Sequence, residues 1–333
     1  MSSKISRRKF IAQTGVGVGL AGVASSCINE NTEGVKLSAE LPKRTLGRTG
    51  KAVSRIGFGG GSRYYQWVPD ERNAEQLIDY AINLGINYFD TARGYGKVQE
   101  SEVRFGKYLT PKYREQVFLV SKTQSRTYDD VMHDIEATLK NLNTDHLDLY
   151  HMHAMNGTDD VNKLSAGDGG FKAYQKLKDS GTIKNIGFSF HIDWDDGIKE
   201  AVERFDPDVI MCALNAANTP NSNAGVGNEE NLFPLAEERN IGIVAMKVTA
   251  QNRLIGKVSG QDLLRYTLNL PVVTLANVGM DGFGTLESCV AIAKEPPLSP
   301  EQVQEIRITL DYNPDTYRLA YHEPGYIDGE RIS

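Results

Sequence analysis

The chain has 333 residues, 40% apolar and 24% charged, with a formal net charge of −6, the make-up of a globular protein able to bury a sizeable core. Length alone leaves one large domain or two ordinary ones open. The first 27 residues hold four basic side chains and no acidic one; without them 33 basic residues face 43 acidic ones, a net charge of −10, which argues against nucleic acid or an anionic membrane as partner.

In chain order, the run Ser6-Arg7-Arg8-Lys9-Phe10-Ile11 comes first, then a Gly-rich apolar stretch over residues 15–24 and Ser25-Ser26-Cys27. A paired-arginine start, a weakly apolar middle and small residues before a cut resemble a twin-arginine export signal. The apolar stretch is too short and too rich in glycine to span a bilayer. Residues 1–27 are therefore expected to send the chain to the periplasm, the competing reading being a disordered basic tail. Cys27 is a candidate lipid anchor point, although Ala24 stands where leucine is usual. Residues 28–42 are polar and irregular and read as a linker. Residues 43–333 carry no low-complexity block and read as one domain.

Gly47 and Gly50 in the run Lys43 to Gly50 predict a tight hairpin. Apolar and amphipathic runs then alternate. Strands are expected at 54–60, 86–91, 117–122, 147–153, 183–189, 208–214, 242–248 and 272–278. Helices are expected between them, among them 71–84, 129–142, 170–180 and 229–239, with a final one at 300–310. Leu77, Ile78, Ala81 and Ile82 fall on one helix face. Eight strands each followed by a helix predict an α/β fold, a closed parallel (β/α)8 TIM barrel with an N-terminal β-hairpin and an extra C-terminal helix. Cys212 and Cys289 lie in apolar segments without metal-ligand spacing and read as buried thiols.

Asp90, Lys122 and His153 each close one of three consecutive strand runs, 32 and 31 residues apart, about one strand-plus-helix unit (~30 residues). Such a barrel delivers all three to the rim where function resides, and Tyr95 follows Asp90 by five residues. Tyrosine is a poor proton donor at neutral pH; an adjacent ammonium favours phenolate, and a carboxylate fixes the lysine. Histidine can orient a carbonyl oxygen and share the proton relay. Asp90, Tyr95, Lys122 and His153 thus form an acid–base set with hydride left to a cofactor. Taken singly, each has a plainer explanation as a barrel-end ion pair, a loop aromatic or a core histidine.

Asp-Thr-Ala-x-x-Tyr-Gly at 90–96, Ser-Lys-Thr at 121–123 and Asp-Leu-Tyr-x-x-His at 148–153 resemble the motifs of the aldo-keto reductase family. The likeness runs from the Arg44 hairpin through Ile186-Gly187-Phe188-Ser189 to Gly279-Met280-Asp281. It implies NAD- or NADP-dependent interconversion of a small-molecule carbonyl, sugar-derived ones included, and an alcohol. By the same resemblance Tyr95 is the general acid/base, Lys122 and Asp90 tune it, and His153 positions the substrate. The candidate cofactor residues are then Ser189, Gly279 and Met280, with Asn215 and Lys247 as substitutes where the chain departs from the family.

The cofactor side departs from the family pattern. Ser189-Phe190 replaces the usual Ser-Asn, Met211 stands where a glutamine is usual, and Met246 replaces a stacking aromatic. Residues 277–286 contain no Lys or Arg for a 2′-phosphate, with Lys247 and Arg253 as substitutes. Gly57-Phe58-Gly59-Gly60-Gly61-Ser62 half-matches a dinucleotide fingerprint but lacks the third glycine and the immediate helix. His151-x-His153 places two imidazoles on one strand face without the further ligands a metal site needs, and His151 is expected in a deeper layer. Tyr64, Tyr65, Trp67 and Trp194 are candidate platforms for a sugar ring or, equally, loop packing. The alternative function is an exported barrel that binds a sugar or glycan without turnover.

Overall fold

The computed structural model describes residues 40–68, 70–191, 194–217 and 228–310. The expected export signal, Cys27, nearly all of the linker and the chain beyond Leu310 lie outside the described residues.

The antiparallel hairpin pairs β1 (Lys43–Thr45) with β2 (Ala52–Ser54). It turns through a short 3₁₀ segment, Gly47–Thr49, and closes on Gly50 at φ +68°, a left-handed conformation that glycine adopts without a Cβ penalty. Eight parallel strands follow: β3 (Ile56–Gly59), β4 (Tyr88–Asp90), β5 (Phe118–Thr123), β6 (Leu149–Met155), β7 (Ile186–Phe190), β8 (Val209–Ala213), β9 (Gly242–Met246) and β10 (Val273–Gly279). They close on themselves, β10 pairing with both β9 and β3. Each expected barrel strand is present, and each is followed by a helix. The final helix runs Pro300–Leu310 as expected. Of the helices, the one expected at 229–239 is the most shortened, to Leu232–Glu238. Pro234 sits in its first turn, where a missing N–H costs nothing.

Side-chain alternation along the strands divides the apolar residues into two sets. Phe89, Leu119, Tyr150, Met152, Phe188, Ile210 and Ile243 face outward and pack under helix faces such as Leu77, Ile78 and Ala81. Tyr88, Phe118, Val120, Leu149, Val209, Met211, Val244, Met246 and Leu275 fill the barrel, with Leu46 and Val53 of the hairpin in the same cluster. Burying a large apolar side chain of this kind contributes about 1.5–3 kcal/mol, so the two layers supply the rigid frame and the hairpin's side chains join the inner one. Glycine makes room inside: a Cβ on Gly57 would lie 2.8 Å from the Tyr88 ring, and one on Gly187 would lie 2.5 Å from His151 Nδ1.

Candidate active site

By alternation, Tyr88, Val120 and Leu149 point inward, so Asp90, Lys122, His151 and His153 do too. The short β4 ends on Asp90. The chain then turns, the Tyr95 N–H donating to the Ala92 carbonyl at 3.0 Å, which returns the Tyr95 hydroxyl to Lys122; Gly96 follows at φ +92°, where a Cβ would strike the Glu100 carboxylate at 1.8 Å.

Lys122 is fully buried, and its ammonium has three acceptors for its three N–H bonds. Nζ donates to Asp90 Oδ2 at 2.8 Å, to the Thr91 carbonyl at 2.7 Å, and to the Tyr95 hydroxyl oxygen at 3.5 Å. It also lies 4.8 Å from the Tyr95 ring centroid. A cation removed from water at large desolvation cost is retained only with such close acceptors. His153 meets Tyr95 edge-to-face, ring centroids 5.8 Å apart at 82°. Tyr95 keeps 7% of its surface exposed, whereas Asp90, Lys122 and His153 keep 2% or less, so Tyr95 is the most exposed member of a buried set. All four predicted residues are thus brought together.

The end of β6 is bent. Its pairing with β7 slips between Met152 and Met155, and Ala154 sits at φ +52°, a left-handed conformation costly for alanine. Three side chains hold this bulge. Ser189 Oγ accepts from the Ala154 N–H at 3.0 Å, and Arg126 Nη2 donates to the His153 carbonyl at 2.7 Å. Asp160 pairs with Arg126 at 3.1 Å. The bulge re-aims the strand end that carries His153.

His151 lies one layer below, opposite Lys122 in register. Burial first, then the charge of Lys122 and the neighbouring His153, hold its imidazole well below the usual histidine range, against a smaller opposing contribution from the Phe188 backbone. It is a neutral filler of the barrel, as its deeper position implied. Among the described residues, no group of three or more His, Cys, Asp or Glu is placed to hold a metal ion. Cys212 and Cys289 are free and buried.

The predicted cofactor residues spread along the opposite arc of the rim. Ser189 is buried on β7, its O–H left to donate because its oxygen receives the Ala154 N–H. Asn215, fully buried two residues past β8, donates Nδ2 to the Lys247 carbonyl at 3.3 Å and accepts from the Ala217 N–H at 3.0 Å. Lys247 follows β9 at φ +56°. Gly279 ends β10, and Met280 is fully buried, its N–H donating to the Gly59 carbonyl at 3.3 Å. Ser189 on β7 and Asn215 just past β8 are therefore buried polar groups on neighbouring strands, each engaged by backbone.

Three residues missed in the sequence matter here. Asn277 on β10 donates Nδ2 to Asp90 Oδ2 at 2.9 Å; a lone amide in the apolar run of residues 272–278 was the signal for it. Arg126 braces His153 and announces itself by nothing in the sequence. Arg63 brings a cation to the stretch after β10, which lacks its own: it pairs with Asp281 at 3.2 Å and lies 4.5 Å over the Trp67 ring. The proposed sugar platforms are reduced by the structure. Tyr64 is fully buried against Phe58 and Phe105, because the short helix Ser62–Trp67 turns it into the core. Trp194 is 8% exposed, and Trp67, 52% exposed, is the large aromatic left facing outward.

Comparison with known proteins agrees with this geometry. The sequence profile of the Aldo/keto reductase family matches residues 55–262. The chain is 28% identical over 231 residues to the Bacillus subtilis (strain 168) oxidoreductase YqkF, spanning 65% of this chain and 68% of that protein. It is 26% identical over 272 residues to pyridoxal 4-dehydrogenase of Microbacterium luteolum, spanning 67% and 75%. Against probable aldo-keto reductase 1 of Glycine max it is 30% identical over 62% of this chain and 59% of that one. The matches thus span from about half to three quarters of the curated relatives' length. The fold is like that of aldo-keto reductase AKR11C1 from Bacillus halodurans in its holo form, with TM-score 0.68 and 23% identity over 81% of this chain and 96% of that one.

Proposed function

The chain belongs to the aldo/keto reductase family, whose chemistry is carbonyl–alcohol oxidoreduction, and from that premise we propose that it is an NAD- or NADP-dependent enzyme using Tyr95 as general acid/base. The observation that carries the reading is the buried Lys122 ammonium lying between Asp90 Oδ2 and the Tyr95 hydroxyl.

What supports a nicotinamide dinucleotide here is that Ser189 and Asn215 are buried hydrogen-bonding groups at neighbouring strand ends, a chemistry suited to a carboxamide. Such a cofactor, when bound, supplies or accepts the hydride. The chain's own residues handle the proton. As a carbonyl oxygen gains negative charge, the Tyr95 hydroxyl gives up its proton to it. The Lys122 ammonium stabilises the charge left on the phenolic oxygen, and Asp90 holds that ammonium in place. His153, beside the Tyr95 ring, directs the carbonyl oxygen toward the hydroxyl. In alcohol oxidation the same atoms act in reverse, with Tyr95 as base.

The proposed substrate is an aldehyde or ketone, sugar-derived ones included, for which Trp67 offers an apolar face beside the cation of Arg63. Incubating the purified chain with NADH or NADPH and a panel of aldehydes and aldoses should consume the reduced nicotinamide. If no rate appears with either reduced form, nor with NAD⁺ or NADP⁺ and the matching alcohols, the enzyme reading fails. Sugar binding without turnover would then favour the non-catalytic binder.

The proposed location is the periplasm, reached by the twin-arginine-type signal, with Cys27 as a candidate lipid anchor. Replacing Arg7 and Arg8 by lysine should leave the precursor in the cytoplasm, and Cys27→Ser should release any membrane-held fraction. Unchanged localisation in the arginine variant would reject the signal.

A further inference from the structure

We propose that Asn277 is a positioning residue of the active site, acting on Tyr95 through Asp90 and Lys122. The inference rests on the reading of Tyr95 as general acid/base. It begins from one atom: Asp90 Oδ2 receives both Lys122 Nζ at 2.8 Å and Asn277 Nδ2 at 2.9 Å. Asp90 and Asn277 stand on strands that are not neighbours, since β3 lies between β10 and β4. Alternation aims Asn277 into the barrel two positions beyond Leu275, and the intervening β3 leaves it space. A Cβ at Gly57 would come within 3.1 Å of Asn277 Oδ1 and 2.8 Å of the Tyr88 ring, so glycine at that position is what lets the amide reach across to the carboxylate.

A carboxylate oxygen that accepts two hydrogen bonds has its charge divided between them. With the amide in place, Asp90 orients Lys122 without neutralising it fully, and more of the ammonium's field falls on the Tyr95 oxygen 3.5 Å away. Without the amide, Asp90 draws Lys122 more strongly and Tyr95 feels less positive charge. The groups facing this centre are Tyr88 and Asp90 from β4, Lys122 from β5, His151 and His153 from β6 and Asn277 from β10. His151 is neutral and Tyr88 un-ionised, because burial disfavours the charged form of each, so charge on the shared oxygen is the variable that Asn277 controls.

The test is Asn277→Leu, which keeps the side chain's shape and removes its donor. The readout is tyrosinate absorbance during alkaline titration, taken as the difference between each protein and the same protein carrying Tyr95→Phe. The Tyr95 midpoint should move alkaline by about half a pH unit or more, and, with a turnover assay, the pH limb of kcat should move with it while KM stays within about twofold. Asn277→Ala, which leaves a small gap and inserts nothing, should move the midpoint in the same direction if the leucine variant does not fold. A folded variant whose Tyr95 midpoint is unchanged, or moves acid, overturns the proposal and leaves Asn277 a structural amide. Because the titration needs no turnover, a shifted midpoint in a protein inactive with every cofactor would uphold Asn277 and reject the oxidoreductase reading.

Discussion

The two arcs of the barrel rim are built differently. From β4 to β6, the functional side chains stand on the strands or on one tight turn after them, and side chain meets side chain: Asp90, Lys122, Tyr95 and His153 contact one another directly. From β7 to β10, the candidate cofactor residues bind backbone, as Ser189 does at Ala154 and Asn215 at Lys247 and Ala217. The first arc fixes the Tyr95 hydroxyl against the Lys122 ammonium, the arrangement the proposed proton path needs. In the second, the polar groups hold backbone and shape the loops. Chemistry that needs a fixed distance between two side chains is built on rigid elements, whereas recognition of a long ligand can be spread over loops.

This contrast predicts that substitutions in the first arc act on turnover far more than on binding. Lys122→Met should have the largest effect, abolishing turnover and costing about 3–5 kcal/mol of stability because Asp90 keeps a buried charge without its ion-pair partner; kinetics with urea denaturation measures both. A stable, active methionine variant would make the ion pair dispensable.

The barrel interior sets the next effect, through His151. Its imidazole titrates well below the usual range in the folded chain, so the unfolded chain binds the extra proton first. Stability is then complete above the unfolded value of about 6.5 and falls as pH drops below it, by about 1.4 kcal/mol per pH unit, until the folded value is reached. Denaturation midpoints measured from pH 8 to 5 should show this slope in the wild type and lose that contribution in His151→Gln.

Ala154→Gly sharpens the comparison at the seam between the arcs. Glycine relieves the left-handed strain at φ +52° but adds freedom to the unfolded chain, so stability should change by less than about 1 kcal/mol. Turnover should fall about tenfold, because His153 loses a rigid support. Equal loss of stability and activity would reduce the bulge to packing. The smallest effect belongs to the outer rim: Trp67→Ala removes a half-exposed ring and should leave stability within about 0.5 kcal/mol, while raising KM for sugar-derived substrates.

The same contrast explains what the sequence revealed. Asp90, Lys122 and His153 were legible because each ends an apolar strand and the intervals between them match one strand-plus-helix unit; the closed barrel followed from eight such runs. Tyr95 came with its motif. Asn277 was missed because its contact with Asp90 spans 187 positions across the closure of β10 onto β3, and its lone amide in an apolar run does not name that partner. Arg63 reaches Asp281 across the same closure. For Tyr64 the sequence left stacking platform and packing open, because a single turn of helix decides whether residue 64 or residue 67 faces solvent; the structure makes it packing. The hairpin was placed from two glycines, yet the contribution of Leu46 and Val53 to the inner core is a tertiary fact with no sequence mark.

The most direct test of the proton path compares wild type with Tyr95→Phe in nicotinamide binding and in a single turnover with one aldehyde. Binding followed by fluorescence should be unchanged, while the rate of carbonyl reduction falls by about 10²–10⁴-fold. A phenylalanine variant that reduces the aldehyde at the wild-type rate would contradict the account, since a group other than Tyr95 would then be giving the proton.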